Sequence, residues 1–136
     1  MLSKIQFAAR ILLGLIYFIF GGMGLGIAMG LLKMPAPAGM PEAAMTFMNG
    51  IMATGYFFPL LKITETLGGF LLLTGFAAPV ALVILAPITL QILLFHSFLT
   101  PSAGELALPV FMCLAHLTAA SKYWTLYKPL FGNRKI

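Results

Sequence analysis

The segment from Lys62 to Phe98, KITETLGGFLLLTGFAAPVALVILAPITLQILLFHSF, constrains this chain more than any other. At about 20 apolar residues per crossing, it is long enough to traverse a bilayer twice. It carries Glu65 near its start and His96 near its end, with nothing ionisable between them. A carboxylate is costly in lipid, so Glu65 has to face protein, water or a partner. The segment therefore specifies a small multi-pass membrane protein with a polar cluster inside its bundle.

Composition points the same way. Of the 136 residues, 61% are hydrophobic and only 8% are charged. A soluble domain of that size lacks the polar surface to cover so large an apolar content. The length suits about four spans with short connections, forming one domain over residues 1–136. The net charge of +5 is not a nucleic-acid signature, because no basic stripe marks a soluble face. Lys4 and Arg10 flank the first apolar run, and Lys122, Lys128, Arg134 and Lys135 follow the last. This is the bias that orients membrane proteins with basic ends inside, so both termini are expected on the cytoplasmic side. Cys113 is the single cysteine, which excludes an intrachain disulfide and dithiol redox chemistry. Ala36-Pro37-Ala38 mimics a leader-peptide cleavage site, yet the apolar run 11–32 is longer than a leader's core and suits a spanning helix.

The chain divides into spans at roughly 5–32, 59–76, 79–99 and 105–123, giving an all-α, four-helix transmembrane bundle. Gly22, Gly26 and Gly30 recur every four residues and predict a close-packing face on the first span, either within the bundle or at a homo-oligomer seam. Arg10 is expected to snorkel to the headgroups. Pro35, Pro37, Gly39 and Pro41 interrupt the chain after span one. Residues 41–54 then read as a short amphipathic helix in the first extracytoplasmic loop, bounded by Pro41 and Gly55. Ala44, Met45, Met48, Ile51 and Met52 share its apolar face. It is an interfacial anchor or a lid. Pro87 falls mid-span and predicts a kink. Trp124, Tyr123 and Tyr127 beside Lys122 and Lys128 form an interfacial belt.

Helix rise converts sequence position into depth. Glu65 falls about 9 Å and His96 about 5 Å below the same membrane boundary, on adjacent antiparallel helices, so a Glu65–His96 contact is expected. Lys62 lies one turn before Glu65 and reaches it along the helix. Gly68 and Gly69 mark a close approach that turns Glu65 inward. Gln91 and His116 fall deeper, at about 13 and 16 Å, and form an expected second polar layer that pairs across the bundle. These groups either bind a ligand or hold the bundle in register. Cys113 and His116 at i, i+3 are too few for a metal site. No phosphate loop or Ser–His–Asp set appears, so the sequence holds no self-contained catalytic or redox centre.

ARILLGLIYFIFGG, ATGYFFPLLKITETLGGFLLLTG and APITLQILLFHSFL, with the Pro- and Met-rich loop between the first two, resemble the DoxX family over nearly the whole chain. Lys62, Glu65, Gly68, Gly69, Phe95 and His96 fall on positions the family uses. Gln91 stands where close relatives have Asn, and His116 where many have an acid. The resemblance implies a four-helix protein of the bacterial inner membrane. Because the family takes its name from a subunit of a quinone-linked system, it also implies a quinone- or lipid-binding subunit with a redox partner. Two other readings fit the residues: an assembly or scaffold protein without catalysis, and a pathway for protons or a small solute.

Overall fold

The structure is a computed structural model that describes residues 1–35 and 38–132. Ala36 and Pro37 of the cleavage-site mimic, and the basic residues Arg134 and Lys135, lie outside the described residues. The elements are α1 (Leu2–Ala28), α2 (Glu42–Ala53), α3 (Phe57–Thr74), α4 (Ala78–Phe98), α5 (Ala103–Ser121), α6 (Trp124–Tyr127) and a 3₁₀ turn (Lys128–Phe131), with no strand among the described residues. Four of them, α1, α3, α4 and α5, are long and apolar enough to cross a membrane. The fold is that of a multi-pass membrane protein.

Each boundary has a local cause. The first helix ends at Ala28 rather than near residue 32. Gly30 takes φ +73, and the Leu31 amide reaches back to the Gly26 carbonyl at 2.8 Å, the bond that closes a helix in a left-handed turn. The third starts at Phe57 because the Thr54 hydroxyl accepts the Phe57 amide at 3.0 Å. It stops at Gly75, φ +79, whose amide returns to Leu71. Residues Gly75–Ala77 then turn the chain directly into α4, so α3 and α4 form a tight antiparallel hairpin.

The long helices pack in the ring order α1–α3–α4–α5, with the α1–α3 seam the most extensive. Leu13, Tyr17, Leu72, Leu82, Leu85 and Met112 fill the centre, with Ala78, Ala81, Ala115 and Ala119 allowing close approach toward one end. Large apolar side chains such as Phe18, Phe70, Val83, Leu90 and Leu114 face outward, the surface a lipid solvent permits. The glycines that bring α1 onto α3 are Gly14, Gly21 and Gly24. A Cβ at Gly21 would stand 2.7 Å from the Thr66 amide nitrogen. The Gly22/Gly26/Gly30 face does not pack in the bundle: a Cβ at Gly22 or Gly30 meets nothing within 4 Å, and one at Gly26 meets Leu32 of the adjoining turn. At about 100° per residue the two faces are centred about 150° apart around the helix. Gly69 lies under the Phe18 backbone, and Gly68 faces Leu85 of α4.

Arg10 does not snorkel. It is 8% exposed, its guanidinium sits where Gly75 has no Cβ, and it lies 5.2 Å from the Phe7 ring centroid. The carbonyl end of α3 offers this cation a negative dipole end, which favours the inward position.

Candidate functional site

On α3, Lys62 Nζ donates to Glu65 Oε2 at 2.7 Å. Glu65 is only 3% exposed. The i, i+3 spacing alone allows this contact, but α1 fixes it. Gly24 leaves a slot for the alkyl chain of Lys62, and Gly21 leaves room for the Cβ of Glu65. The ammonium also stands 5.7 Å from the Phe58 ring centroid.

This ion pair forms part of the wall of a cavity of about 820 Å³. Ile16, Tyr17 and Phe20 of α1, Ile88 and Ile92 of α4, and Leu108 and Met112 of α5 supply much of its apolar lining. Phe47, Met48 and Ile51 cover it from α2, and Phe47 packs on Phe95 with ring centroids 5.4 Å apart. The inward face of α2 therefore runs through Ala44, Phe47, Met48 and Ile51. Met52 turns outward, because Phe47, rather than Met45 or Met52, completes the i, i+3, i+4 stripe.

Gln91 and His96 line the same cavity as Lys62 and Glu65. Their separation of about 140° around α4 does not divide them into layers, because a cavity of this width spans more than one helix face. His96 is not hydrogen-bonded to Glu65. Its Nδ1 lies 2.9 Å from the Thr100 hydroxyl and 3.4 Å from Glu105 Oε2. The expected contact gives way because His96 sits in the last turn of α4, beside the first turn of α5, where Glu105 is nearer at hand.

His116 does not pair with Gln91 and does not line the cavity. Its Nε2 lies 3.0 Å from the Leu82 carbonyl and its Nδ1 lies 2.8 Å from the Thr89 hydroxyl. A carbonyl only accepts, so the neutral ring carries its hydrogen on Nε2. Nδ1 then accepts from Thr89, whose oxygen accepts from the Tyr17 phenol at 2.6 Å. One directed chain, Tyr17 to Thr89 to His116 to the Leu82 carbonyl, joins α1, α4 and α5. Leu82 adjoins Val83, whose carbonyl loses its helical donor to Pro87, so His116 ties α5 to the Pro87 stretch of α4. Cys113 Sγ lies 3.9 Å from the Thr89 carbonyl and adds to the same seam.

The site thus joins Lys62, Glu65, Gln91 and His96 and leaves His116 in the packing core. Sequence reasoning missed Tyr17, Thr89, Glu105, Gly21 and Gly24. Glu105 carried a signal, since Ser102-Ala103-Gly104-Glu105 has the spacing of a capping box. No protein-family model, curated protein or solved structure matches the chain.

Proposed function

We propose that this protein is a DoxX-like membrane subunit that binds a quinone, or a lipid-soluble ligand of similar build, for a redox partner. The observation that carries the reading is the buried Lys62–Glu65 pair in the wall of a largely apolar cavity of about 820 Å³. Small-molecule sites are apolar concavities of about 300–1,000 Å³ with a few convergent polar groups. The donor set suits a ring with carbonyl or hydroxyl oxygens. The Lys62 ammonium and the Gln91 amide can donate to a carbonyl, Glu65 can accept from a hydroxyl, and Phe20, Phe58 and Phe95 provide aromatic surface for the ring and tail. A bound quinone would supply the two-electron chemistry. The chain's own residues would bind it, orient it and manage its protons. The resemblance of the Lys62–Gly69 and Pro87–His96 stretches to the DoxX family supports the same reading.

We further place the protein in a bacterial inner membrane with both termini cytoplasmic and α2 at the outer surface, covering the cavity. Mass spectrometry of lipids and quinones copurifying in mild detergent tests the function. Wild type is expected to carry quinone, and Glu65→Gln to lose it. Because Glu65→Gln leaves Lys62 without its counter-charge, the double variant Lys62→Met/Glu65→Leu provides the control. It replaces the pair with apolar groups, keeps the fold and also loses the ligand. Quinone retained in both variants would overturn the reading.

A further inference from the structure

His96 stands in the wall between two cavities. Beyond the large one lies a smaller cavity of about 450 Å³, roofed by residues 38–41 and bearing Thr100, Ser102 and Glu105. Both cavities are lined by Phe95 and His96. The groups that meet Nδ1, the Thr100 hydroxyl and the Glu105 carboxylate, line only the smaller one. Nε2 makes no hydrogen bond among the described residues. It is the ring atom left for a ligand.

Glu105 departs from its local role in a telling way. In a capping box its carboxylate would reach back to the Ser102 amide. Half the box forms, with the Glu105 amide donating to the Ser102 hydroxyl at 3.3 Å. The Ser102 amide instead donates to the Thr100 carbonyl at 2.8 Å. The carboxylate turns to His96, with its side chain 58% exposed. A solvent-reached acid, an imidazole and a ligand cavity therefore stand in sequence. Imidazole accepts at one nitrogen while releasing at the other, which is the property a proton shuttle needs.

We propose that Glu105 and His96 form a proton port joining the outer vestibule to the ligand cavity; this rests on the quinone-type reading of that cavity. With a hydroxyl head group bound, Nε2 takes the hydroxyl proton as the Nδ1–H bond breaks toward the Glu105 carboxylate. With a carbonyl head group bound, the same steps run backward and Nε2 gives a proton up. The accompanying electrons pass to or from the redox protein partner, so His96 and Glu105 change protonation but not oxidation state. Glu105 then passes its proton to vestibule water, and rotation of the imidazole ring brings Nε2–H to the vestibule side for exchange, which restores the starting tautomer. The other titratable groups facing the large cavity are Lys62 and Glu65 on α3 and Tyr17 on α1. The α2 residues over it, Phe47, Met48 and Ile51, do not titrate.

The chain has two histidines, so nitrogen-15 spectra of histidine-labelled protein in detergent contain two rings. The probes are decylbenzoquinone and its hydroquinone. With the hydroquinone, His96 Nε2 is expected bare and accepting. With the quinone it is expected protonated and donating, while His116 keeps its Nε2–H in both. Glu105→Gln is expected to slow exchange of the His96 ring proton with water by about tenfold or more, without releasing the probe. Retained probe with an unchanged His96 Nε2 signal, or unaltered exchange in Glu105→Gln, would overturn the port and leave the cavity reading standing. Failure of the probe to bind would overturn both.

Discussion

A methyl group at position 24 would fall on the alkyl chain of Lys62, and one at position 69 on the backbone of Phe18. These two clashes differ in kind. Lys62 is a flexible chain, so in Gly24→Ala its methylenes can shift while the ammonium keeps Glu65, at small cost to the fold. Phe18 is backbone, so Gly69→Ala must push α1 off α3 and is expected to cost about 1–3 kcal/mol, as overpacked cores do. Gly22→Ala meets nothing and is expected within about 0.5 kcal/mol of wild type. Thermal unfolding of the three variants in one detergent separates them, and equal effects would contradict the α1–α3 seam. Tyr127 gives a residue-scale test at the other end. Its phenol donates to the Pro79 carbonyl at 2.7 Å. Burial, with Tyr123 adding, pushes its pKa above the ordinary 10.0. A raised folded value in an acid means that the neutral form is favoured by folding. The contribution is therefore complete below pH 10 and falls as pH rises beyond it. Tyr127→Phe is expected to lose about 1 kcal/mol below that point and to flatten the alkaline limb of stability against pH.

At the scale of elements, α4 depends on its neighbours. Pro87 removes a donor in mid-helix, and His116 of α5 donates to a carbonyl one residue from the one left free. His116→Leu would leave the Leu82 carbonyl without that donor, while the Thr89 hydroxyl can turn its hydrogen to the Leu85 carbonyl 3.0 Å away. The expected loss is about 1 kcal/mol, that of one buried hydrogen bond. Tyr17→Phe is expected to cost a similar amount, because no carbonyl can replace the hydrogen that the phenol gives to the Thr89 oxygen. A double-mutant cycle between Tyr17→Phe and His116→Leu is expected to show coupling well above the scatter between independent sites, and additive losses would break the chain into separate bonds. The sequence marked His116 as a polar group needing a partner, but depth along a helix assigns a layer and not a direction around the axis. Depth therefore suggested Gln91, while the actual hub is Thr89, a residue too common in helices to stand out. Elements were legible where punctuation was strong, as with Pro41 and Gly55 around α2, whereas the break expected between residues 76 and 79 begins earlier, at Gly75. Faces were not. Gly21 and Gly24 sit inside the same glycine-rich run as Gly22 and Gly26, and only the packed partner decides which phase is used. Lys62 and Glu65 were legible because their contact is local, while Glu105 reaches His96 only through the fold.

At the scale of the whole molecule, four antiparallel crossings bring the two ends of the chain together, and the Gln6–Ser121 bond at 2.9 Å joins them directly. Lys4, Arg10, Lys122 and Lys128 gather at that end, while all three acidic residues, Glu42, Glu65 and Glu105, fall toward the other. Such a gradient orients a chain during insertion through its Lys and Arg residues. The cavity and its vestibule lie at the acidic end, so orientation decides which compartment supplies protons to His96. In the proposed orientation that compartment is outside the cytoplasm. Single cysteines at Ser3 and at Ser102, each in a Cys113→Ser background, test this with a membrane-impermeant maleimide on intact spheroplasts. Ser102→Cys is expected to react from outside, and Ser3→Cys only after lysis. The opposite pattern would turn the molecule over, and the port, if it operates, would then draw its protons from the cytoplasm.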